Sequence, residues 1–514
     1  MQTAASGSQP QTQPATQPAT TQRPRQRAAP QPIPLAPPID LPERRRYRLK
    51  NTLLGRPLHT DQLVHERLGK PTALAVFASD NLSSVAYGTE QIITHLVPFI
   101  GLAAFSLVMP ITTALLVVLG FLILSYRQTI KAYPSAGGAY IVTRDNFGLL
   151  PAQVAGVALL TDYVLTVAVS VAAGTAALTS AVPTLTSYAV PISVTFILII
   201  AFGNLRGVKE SGRIFAIPTY FFIASMVGLL LVGFYRMTLG HLAVQSIRKP
   251  GMIPVGHSGG GILMGATLFV VLRAFASGGA AVTGVEAISN GVPAFKRPEW
   301  KNARATLVIM GTTLGAMFFG LSWLDSRLHV NAYEKGTPTV ISQIGKVVFG
   351  SSPMGHALYF ALQAGTLLIL VLAANTSFAD FPRLASFHAG DNFMPRQLTK
   401  RGHRLVFSNG IIALAAAAIF LVIITEAKVD RLIPLYAIGV FTSFTMSQSG
   451  MAKHHHTRKE PHWRRRMLIN GTGAVLSFVV DVVILVTKFT AGAWAIVLLV
   501  PIMVYGLTRL NKQY

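Results

Sequence analysis

The chain contains 514 residues, of which 51% are hydrophobic and only 12% are charged, and its mean hydropathy is +0.49. Soluble globular proteins carry about 25% charged residues, so this composition excludes an ordinary soluble protein and predicts one embedded in the lipid bilayer. The formal net charge of +25 does not indicate a nucleic-acid partner, because Lys and Arg are concentrated in the N-terminal tail and between apolar segments. The absence of cysteine excludes disulfides, thiolate catalysis and thiolate metal sites.

The N-terminal segment, residues 1–69, is predicted to be a disordered cytoplasmic tail. Residues 1–40 are rich in Gln, Pro, Ala and Thr, a composition with too little apolar surface to form a core. A basic run at residues 44–50 follows and is typical of a segment that lies against the negatively charged cytoplasmic leaflet.

Twelve apolar segments follow, each of a length typical of a membrane-spanning helix. They lie near residues 70–97, 101–125, 147–182, 186–204, 212–235, 263–290, 303–325, 355–380, 405–425, 431–450, 467–487 and 490–508. The first ten would form one core, residues 70–450, and residues 451–514 would form a basic loop, two further transmembrane helices and a short cytoplasmic end. The positive-inside rule places both termini in the cytoplasm. The run His454–His456 in the last basic loop is expected to be solvated rather than to bind a metal.

Two of these segments contain polar or helix-breaking residues where a plain membrane helix would be apolar. The first segment reads ASDNLSSVAYG at residues 78–88, and the sixth reads FASGGAAVTGVE at residues 275–286. We predict unwound backbone at both places, which persists in a membrane only where protein or a water-filled cavity lines it. Interrupted helices at matching positions in two groups of five spans are typical of an inverted-repeat transporter whose site lies near the bilayer midplane.

Three carboxylates in the predicted spans, Asp80, Asp162 and Glu286, are the candidates for binding, whereas Glu90, Asp380 and Asp481 are expected to pair with loop cations. Each of the three candidates costs about 2.5–3.5 kcal/mol at the centre of a membrane helix, so bound cations or protons are expected to compensate them. Arg273 is the single Lys or Arg in the interior of the three spans that carry these carboxylates, and it cannot pair with all three.

Hydroxyl groups are spaced so that they share a helix face with these carboxylates. Thr166 and Ser170 follow Asp162 at i+4 and i+8, which keeps the three within about 80° on one face. The other candidates are Tyr87 on the first segment, Thr283 beside the break in the sixth, and Tyr436 in the tenth. Carboxylate, hydroxyl and freed carbonyl oxygens are the hard ligands that alkali cations prefer. Interhelical hydrogen bonding that only holds the bundle together is the alternative role for the hydroxyls.

Two sequence patterns match motifs of soluble enzymes, but the surrounding sequence does not fit those enzymes. The run GHSGG at residues 256–260 fits G-x-S-x-G, but no strand precedes it and a membrane span follows. The same glycines lack a βαβ unit, and no Walker sequence is present. We therefore predict neither an enzyme nor a resident cofactor.

Six runs of sequence resemble a known family. Three resemble the amino acid–polyamine–organocation superfamily: residues 77–90 (FASDNLSSVAYGTE), 133–140 (YPSAGGAY) and 204–212 (NLRGVKESG). Three more resemble the KimA-type branch of the KUP potassium importers within it: residues 160–170 (LTDYVLTVAVS), 284–293 (GVEAISNGVP) and 375–383 (NTSFADFPR). The resemblance covers about residues 50–508.

This resemblance implies a LeuT-like fold of two inverted five-helix repeats with broken helices 1 and 6, in a plasma (inner) membrane protein that imports potassium with protons as a homodimer. The matching positions of the cation site are Asp80, Tyr87, Asp162, Thr166, Ser170, Thr283, Glu286 and Tyr436. Among them, Asp162, Thr166 and Glu286 would ligate potassium. Similar importers continue into a cytosolic C-terminal domain, whereas this sequence ends shortly after its last predicted span; this argues against nucleotide regulation, or dimer contacts, through such a domain.

Two alternatives to potassium import remain open. An amino acid permease of the same fold would place the substrate carboxylate against freed backbone N–H groups, although Asp80, Asp162 and Glu286 would repel it. A sensing or scaffolding protein that has lost transport would leave these costly intramembrane charges unused. The acidic set therefore favours a cation as the substrate.

Overall fold

The computed structural model describes residues 67–134, 138–206, 212–240, 242–257, 261, 263–400 and 407–513. The predicted N-terminal tail, residues 1–69, lies almost wholly outside the described residues. The residues that are described form helices connected by turns and loops, with isolated bridges and no β-strand among them. The predicted all-helical class is confirmed.

Seventeen α-helices are present in the described residues. The first nine are α1 Lys70–Phe77, α2 Ser79–Ser83, α3 Val85–Ile100, α4 Ala104–Ala132, α5 Gly138–Phe147, α6 Leu149–Ala181, α7 Ala189–Leu205, α8 Gly212–Thr238 and α9 Leu268–Gly278. The remaining eight are α10 Glu286–Asn290, α11 Glu299–Leu328, α12 Val340–Phe349, α13 Pro353–Gly390, α14 Ser408–Ile424, α15 Val429–Arg458, α16 Trp463–Lys488 and α17 Ala493–Gln513.

Each of the twelve predicted apolar segments falls on one of these helices or on an interrupted run of them. Nine segments in the described part of the chain are long and apolar enough to cross a membrane. One of the nine is the continuous stretch Val85–Ala132, which combines the end of the first predicted segment with the whole of the second. The number of twelve crossings therefore stays a prediction.

Helix α6 lies at the centre of the bundle. Its most apolar stretch is 89% buried, and it packs against α13 and α15. By contrast, the corresponding stretch of α17 is only 22% buried, and large apolar side chains such as Ile217, Leu231 and Ile502 are exposed. A protein that is apolar on its outside and closely packed inside is suited to a lipid environment.

The first predicted segment is interrupted but not unwound, which corrects the sequence-based expectation. Helices α1, α2 and α3 are separated only at Ala78 and Ser84, and both residues keep right-handed helical backbone angles. Here the hydroxyls of Ser83 and Ser84 donate hydrogen bonds to the carbonyl oxygen of Asp80, at 2.8 and 3.3 Å. These short polar side chains satisfy a backbone carbonyl locally. The backbone therefore stays helical and does not unwind.

The sixth predicted segment is unwound, as its sequence indicates. Helix α9 passes into a 3₁₀ turn at Gly279–Val282, after which Thr283 is extended and Gly284 has a φ of +79°. The Asn81 side-chain amide donates a hydrogen bond of 2.6 Å to the freed carbonyl of Thr283. This contact joins the interruption of the first segment to that of the sixth.

Two expectations about residues 451–514 need correction. The predicted boundary at residue 450 falls inside α15, so the basic loop begins only after Arg458. The expectation that the run His454–His456 is solvated is wrong for His454 and His455, which are 5% and 2% exposed. The helix continues through them, and the His454 ring packs against Tyr133 at 5.5 Å between centroids.

Candidate functional site

Four buried carboxylates form an acidic cluster, defined here as Asp80, Asp162, Glu286 and Asp380. They are 8%, 2%, 4% and 6% exposed, respectively. Asp162 on α6 lies within electrostatic range of Asp80 on α2 and of Glu286 on α10. Asp380 on α13 in turn interacts with Asp80 and Glu286. The structure thus brings together the three predicted carboxylates and adds a fourth.

The positive charges near this cluster are too few to neutralise it. Within the described residues, one ion pair involves the cluster, between Arg383 and Asp380 at 3.8 Å. Arg273 lies elsewhere, over the ring of Phe99 at 5.9 Å. Among the described residues, Asp162 Oδ1 and Glu286 Oε2 are buried without a hydrogen-bond partner. Buried charge without a partner is expensive, so these oxygens are suited to hold a cation or a proton.

Helix α15 supplies an aromatic hydroxyl at the break in the sixth segment. The hydroxyl of Tyr436 donates a 2.6 Å hydrogen bond to Thr283 Oγ1, which itself donates to the carbonyl of Ala280 at 2.9 Å. Gly439, one turn beyond Tyr436, permits a close approach to α6, because a Cβ atom there would lie 3.1 Å from the Ala158 carbonyl oxygen. Tyr436 is therefore fixed beside the acidic cluster.

The remaining predicted hydroxyls lie at different distances from the carboxylates. Thr166 lies beside the carboxyl group of Asp162. Tyr87 interacts with Asp80 and Asp162, while its hydroxyl donates to Ser84 Oγ at 3.1 Å. Ser170 is buried one turn beyond Thr166, but in the described part of the chain its hydroxyl makes no hydrogen bond to the other predicted residues. Seven of the eight predicted residues therefore share one neighbourhood.

This neighbourhood is not a preformed cage of carboxylates. Among the described residues, no group of three His, Cys, Asp or Glu side chains has metal-binding geometry. A cation here would have to combine one or two carboxylates with hydroxyl and backbone oxygens. Such a mixed set is suited to a weakly hydrated monovalent ion that must bind and leave again.

An open cavity of about 540 Å³ leads from the surface to Tyr87. Its polar lining combines carboxylates, amides and hydroxyls: Glu90, Gln91, Thr175, Thr179, Glu334, Thr339, Thr366, Glu426 and Asp430. At its mouth, ion pairs with Lys428 and Arg431 lower the pKa of Glu426. We call this cavity the vestibule.

A polar network beside the vestibule was not predicted from the sequence. Lys488, at the end of α16, is 1% exposed, and its ammonium group donates to His95 Nε2 at 2.6 Å. His95 Nδ1 can then donate to the carbonyl of Gln91 at 3.0 Å, and the Gln91 side chain hydrogen-bonds Asp430. Lys488 lies one residue beyond the predicted span 467–487, so hydropathy alone did not place it inside the protein.

Replacing Lys488 by Met should lower the stability of the protein by about 1–3 kcal/mol. The change keeps the length of the side chain, but it leaves His95 Nε2 without its donor and Asp430 without its neighbouring cation. The midpoint of thermal unfolding in detergent measures the effect. Lys512→Met, at an exposed position near the end of α17, is the matched control and should unfold like the wild type. Equal midpoints for both variants would contradict the structural role of Lys488.

The side of the acidic cluster opposite the vestibule is closed by polar contacts. Asn290, the last residue of α10, donates to the hydroxyl of Tyr163 at 2.9 Å. Arg383 donates to the Asn290 carbonyl at 3.4 Å, in addition to its ion pair with Asp380. The space remaining there is about 20 Å³. This side is therefore the more closely packed one, whereas the vestibule reaches Tyr87, which interacts with Asp80 and Asp162.

Comparisons with known proteins identify the family of this chain. Residues 71–507 match the model of the amino acid permease family. The chain belongs to this family, and it is a multi-pass membrane protein of the transporter class. It is 45% identical over 473 residues to the potassium transporter KimA of Bacillus subtilis (strain 168), an alignment that covers 91% of this chain and 74% of that protein. A crystal structure of a mutant manganese transporter from Eremococcus coleocola covers 86% of this chain and 92% of its own, with 12% identity and a TM-score of 0.43.

Proposed function

We propose that this protein is a secondary transporter that imports potassium together with protons by alternating access. The observation that carries the proposal is the acidic cluster at the two helix interruptions, where Asp162 Oδ1 and Glu286 Oε2 lack a protein partner among the described residues. The 45% identity to a potassium transporter supports potassium as the cation. Potassium and protons are transported species, and no resident cofactor is involved.

The proposed roles of the residues follow from their positions. Asp162, Thr166 and Glu286 ligate the potassium ion, while Asp80, Tyr87, Thr283 and Tyr436 complete the oxygen lining of the site. Ser170, one turn beyond Thr166, contacts the ion as it moves along α6. One carboxylate of the acidic cluster carries the coupled proton, because cation binding beside it changes its proton affinity.

The proposed architecture is the LeuT-like one, with two inverted five-helix repeats inside twelve transmembrane helices. The interruptions in the first and sixth segments support it, since such breaks occur at matching positions of the two repeats. The distribution of Lys and Arg supports cytoplasmic N- and C-termini in the plasma (inner) membrane. The resemblance to the KUP branch supports assembly as a homodimer.

Flux into proteoliposomes tests this proposal. Purified protein is reconstituted, and entry of rubidium or potassium is measured with and without an inward proton gradient, alongside a panel of labelled amino acids. We expect cation entry that the proton gradient stimulates. Accumulation of an amino acid without rubidium flux would replace the proposal by the alternative, a proton-coupled amino acid permease. A bound ligand without any flux would favour a sensing or scaffolding role.

Tyr436→Phe should weaken the apparent affinity for rubidium by about 3- to 10-fold, because loss of a hydrogen bond of about 1 kcal/mol releases Thr283 from its position. The KM of rubidium uptake measures the effect. Tyr359→Phe is the matched control: it removes a hydroxyl that donates to the Ser180 carbonyl at 3.0 Å, outside the acidic cluster. If both variants changed KM equally, the hydroxyl of Tyr436 would have no specific role in cation binding.

A further inference from the structure

Positively charged side chains converge on a second cavity, whose lining shares no residue with the acidic cluster. We call it the basic pocket and define it by Arg127, Lys131, Arg304 and Arg466. It has a volume of about 120 Å³, and His455 and Glu460 complete its polar wall. Arg127 and Lys131 come from the end of α4, and the other two come from the beginnings of α11 and α16. The pocket thus lies where several helices end, at one face of the bundle.

The charges of the basic pocket are not balanced by the protein. Arg466 pairs with Glu460 at 2.8 Å, whereas the other three cations have no carboxylate partner within the described part of the chain. Arg304 lies within electrostatic range of Arg127 and Arg466. Like charges held together in a partly buried cavity repel each other, so an anion between them would be stabilised.

Unpartnered polar atoms provide a second, independent indication of a ligand. His455 lines the pocket and is 2% exposed, yet neither of its ring nitrogens makes a hydrogen bond among the described residues. The Nε atoms of Arg127 and Arg304 are also buried without an acceptor there. Buried donors are nearly always satisfied in folded proteins. A ligand rich in acceptor oxygens would accept hydrogen bonds from both Nε–H groups and from one ring N–H of His455 at once.

The wall of the pocket is already held in place. Asn470 on α16 donates to the side-chain oxygen of Gln128 at 2.8 Å, and it accepts a hydrogen bond from Ser125 Oγ at 2.6 Å. These contacts tie α16 to α4 beside Arg127. The site is therefore built before a ligand arrives, which reduces the entropic cost of binding.

We propose that the basic pocket binds a phosphate group, carried by the headgroup of an anionic phospholipid. Guanidinium groups bind phosphate through paired, charge-assisted hydrogen bonds, and basic pockets between membrane helices on the cytoplasmic side suit anionic headgroups. The helices that form the pocket also carry exposed apolar side chains close to it, among them Leu124, Ile309 and Leu468. Acyl chains can lie along such a surface while the phosphate enters the pocket.

Lipid binding by the purified full-length chain tests this proposal. Native mass spectrometry compares phosphatidylglycerol with phosphatidylcholine, whose choline group cancels the phosphate charge. We expect wild-type protein to retain phosphatidylglycerol about tenfold better, a difference of about 1.4 kcal/mol. The double variant Arg127→Gln/Arg304→Gln should retain both lipids equally, whereas Arg127→Lys/Arg304→Lys should keep part of the preference and show that the fold tolerates changes there. Equal retention of both lipids by the wild type would overturn the proposal.

A matched control separates the pocket from general surface charge. Arg464→Gln/Arg465→Gln removes two exposed positive charges from the same end of α16 and should retain phosphatidylglycerol like the wild type. If this control lost the preference as fully as Arg127→Gln/Arg304→Gln does, binding would be diffuse and the pocket assignment would be wrong. A third arm adds inorganic phosphate alone. Thermal stabilisation by phosphate that depends on Arg127 and Arg304, without any lipid preference, would support a phosphate site and overturn its lipid source.

Discussion

Asp162→Asn should reduce rubidium or potassium uptake into proteoliposomes by about 10- to 100-fold. The substitution keeps the size of the side chain but removes a carboxylate on the central helix that lies within electrostatic range of Asp80 and Glu286. A contact with a charged group contributes about 1.5–3 kcal/mol, and each 1.4 kcal/mol corresponds to about tenfold in binding. Initial rates at low rubidium concentration measure the loss.

Asp481→Asn provides the control for this prediction. Asp481 is also an aspartate on a membrane helix, but it lies on α16 and accepts a 2.8 Å hydrogen bond from Thr442, outside the acidic cluster. We expect its variant to transport at nearly the wild-type rate. Full uptake by Asp162→Asn, or equal losses in the two variants, would show that Asp162 does not bind the transported cation.

Gly284→Ala should abolish most transport and also lower the midpoint of thermal unfolding. Gly284 has a φ of +79°, and a Cβ atom would lie 2.8 Å from Asp80 Oδ2 and 2.9 Å from the backbone nitrogen of Asn81. A side chain in the left-handed region costs about 1–2 kcal/mol, and overpacking adds about 1–3 kcal/mol. Because the methyl group would separate the two helix interruptions, we expect uptake to fall by about tenfold or more.

Gly120→Ala serves as the comparison for this substitution. Gly120 lies inside α4, and a Cβ atom there would meet nothing within 4 Å. Alanine is favoured over glycine inside a helix by about 0.5–1 kcal/mol, so this variant should be as stable as the wild type or more so, with unchanged uptake. Wild-type behaviour of Gly284→Ala in both assays would contradict the close contact between the interruptions.

Much of the fold could be predicted from the sequence, because helices that cross a lipid bilayer need long runs of apolar residues. Long apolar runs place the helices, and the run FASGGAAVTGVE identifies the unwound segment. The first interruption was harder to interpret, because Ser83 and Ser84 bond to the Asp80 carbonyl and so keep the backbone helical. The burial of His455 was missed for a related reason: a polar run at the end of a helix can be covered by neighbouring helices that sequence alone does not place.

The candidate site was predictable where residues share one helix and less so where distant helices meet. Helical spacing groups Asp162 with Thr166, and the cost of intramembrane charge singles out Asp80 and Glu286. Asp380 joins the cluster only through the packing of α13 against α6, a contact between segments far apart in the chain. The burial of Lys488 could not be predicted, because it depends on contact with His95, almost four hundred residues earlier in the chain.

The acidic cluster is closed by polar contacts on the side of Asn290 and Arg383, whereas the vestibule lies on the other side. This difference affects the rate of transport. Under the proposed function, an ion bound in the cluster would reach the solution on the side of Tyr87, which lines the cavity of about 540 Å³. Its release to the opposite compartment would require Asn290 to separate from Tyr163, and Arg383 to separate from Asp380 and from the Asn290 carbonyl. Two hydrogen bonds and one partly exposed ion pair amount to about 2–3 kcal/mol. An ion that binds more tightly to the opposite conformation can reverse so small an energy difference, and each turnover would then depend on how quickly these three contacts break.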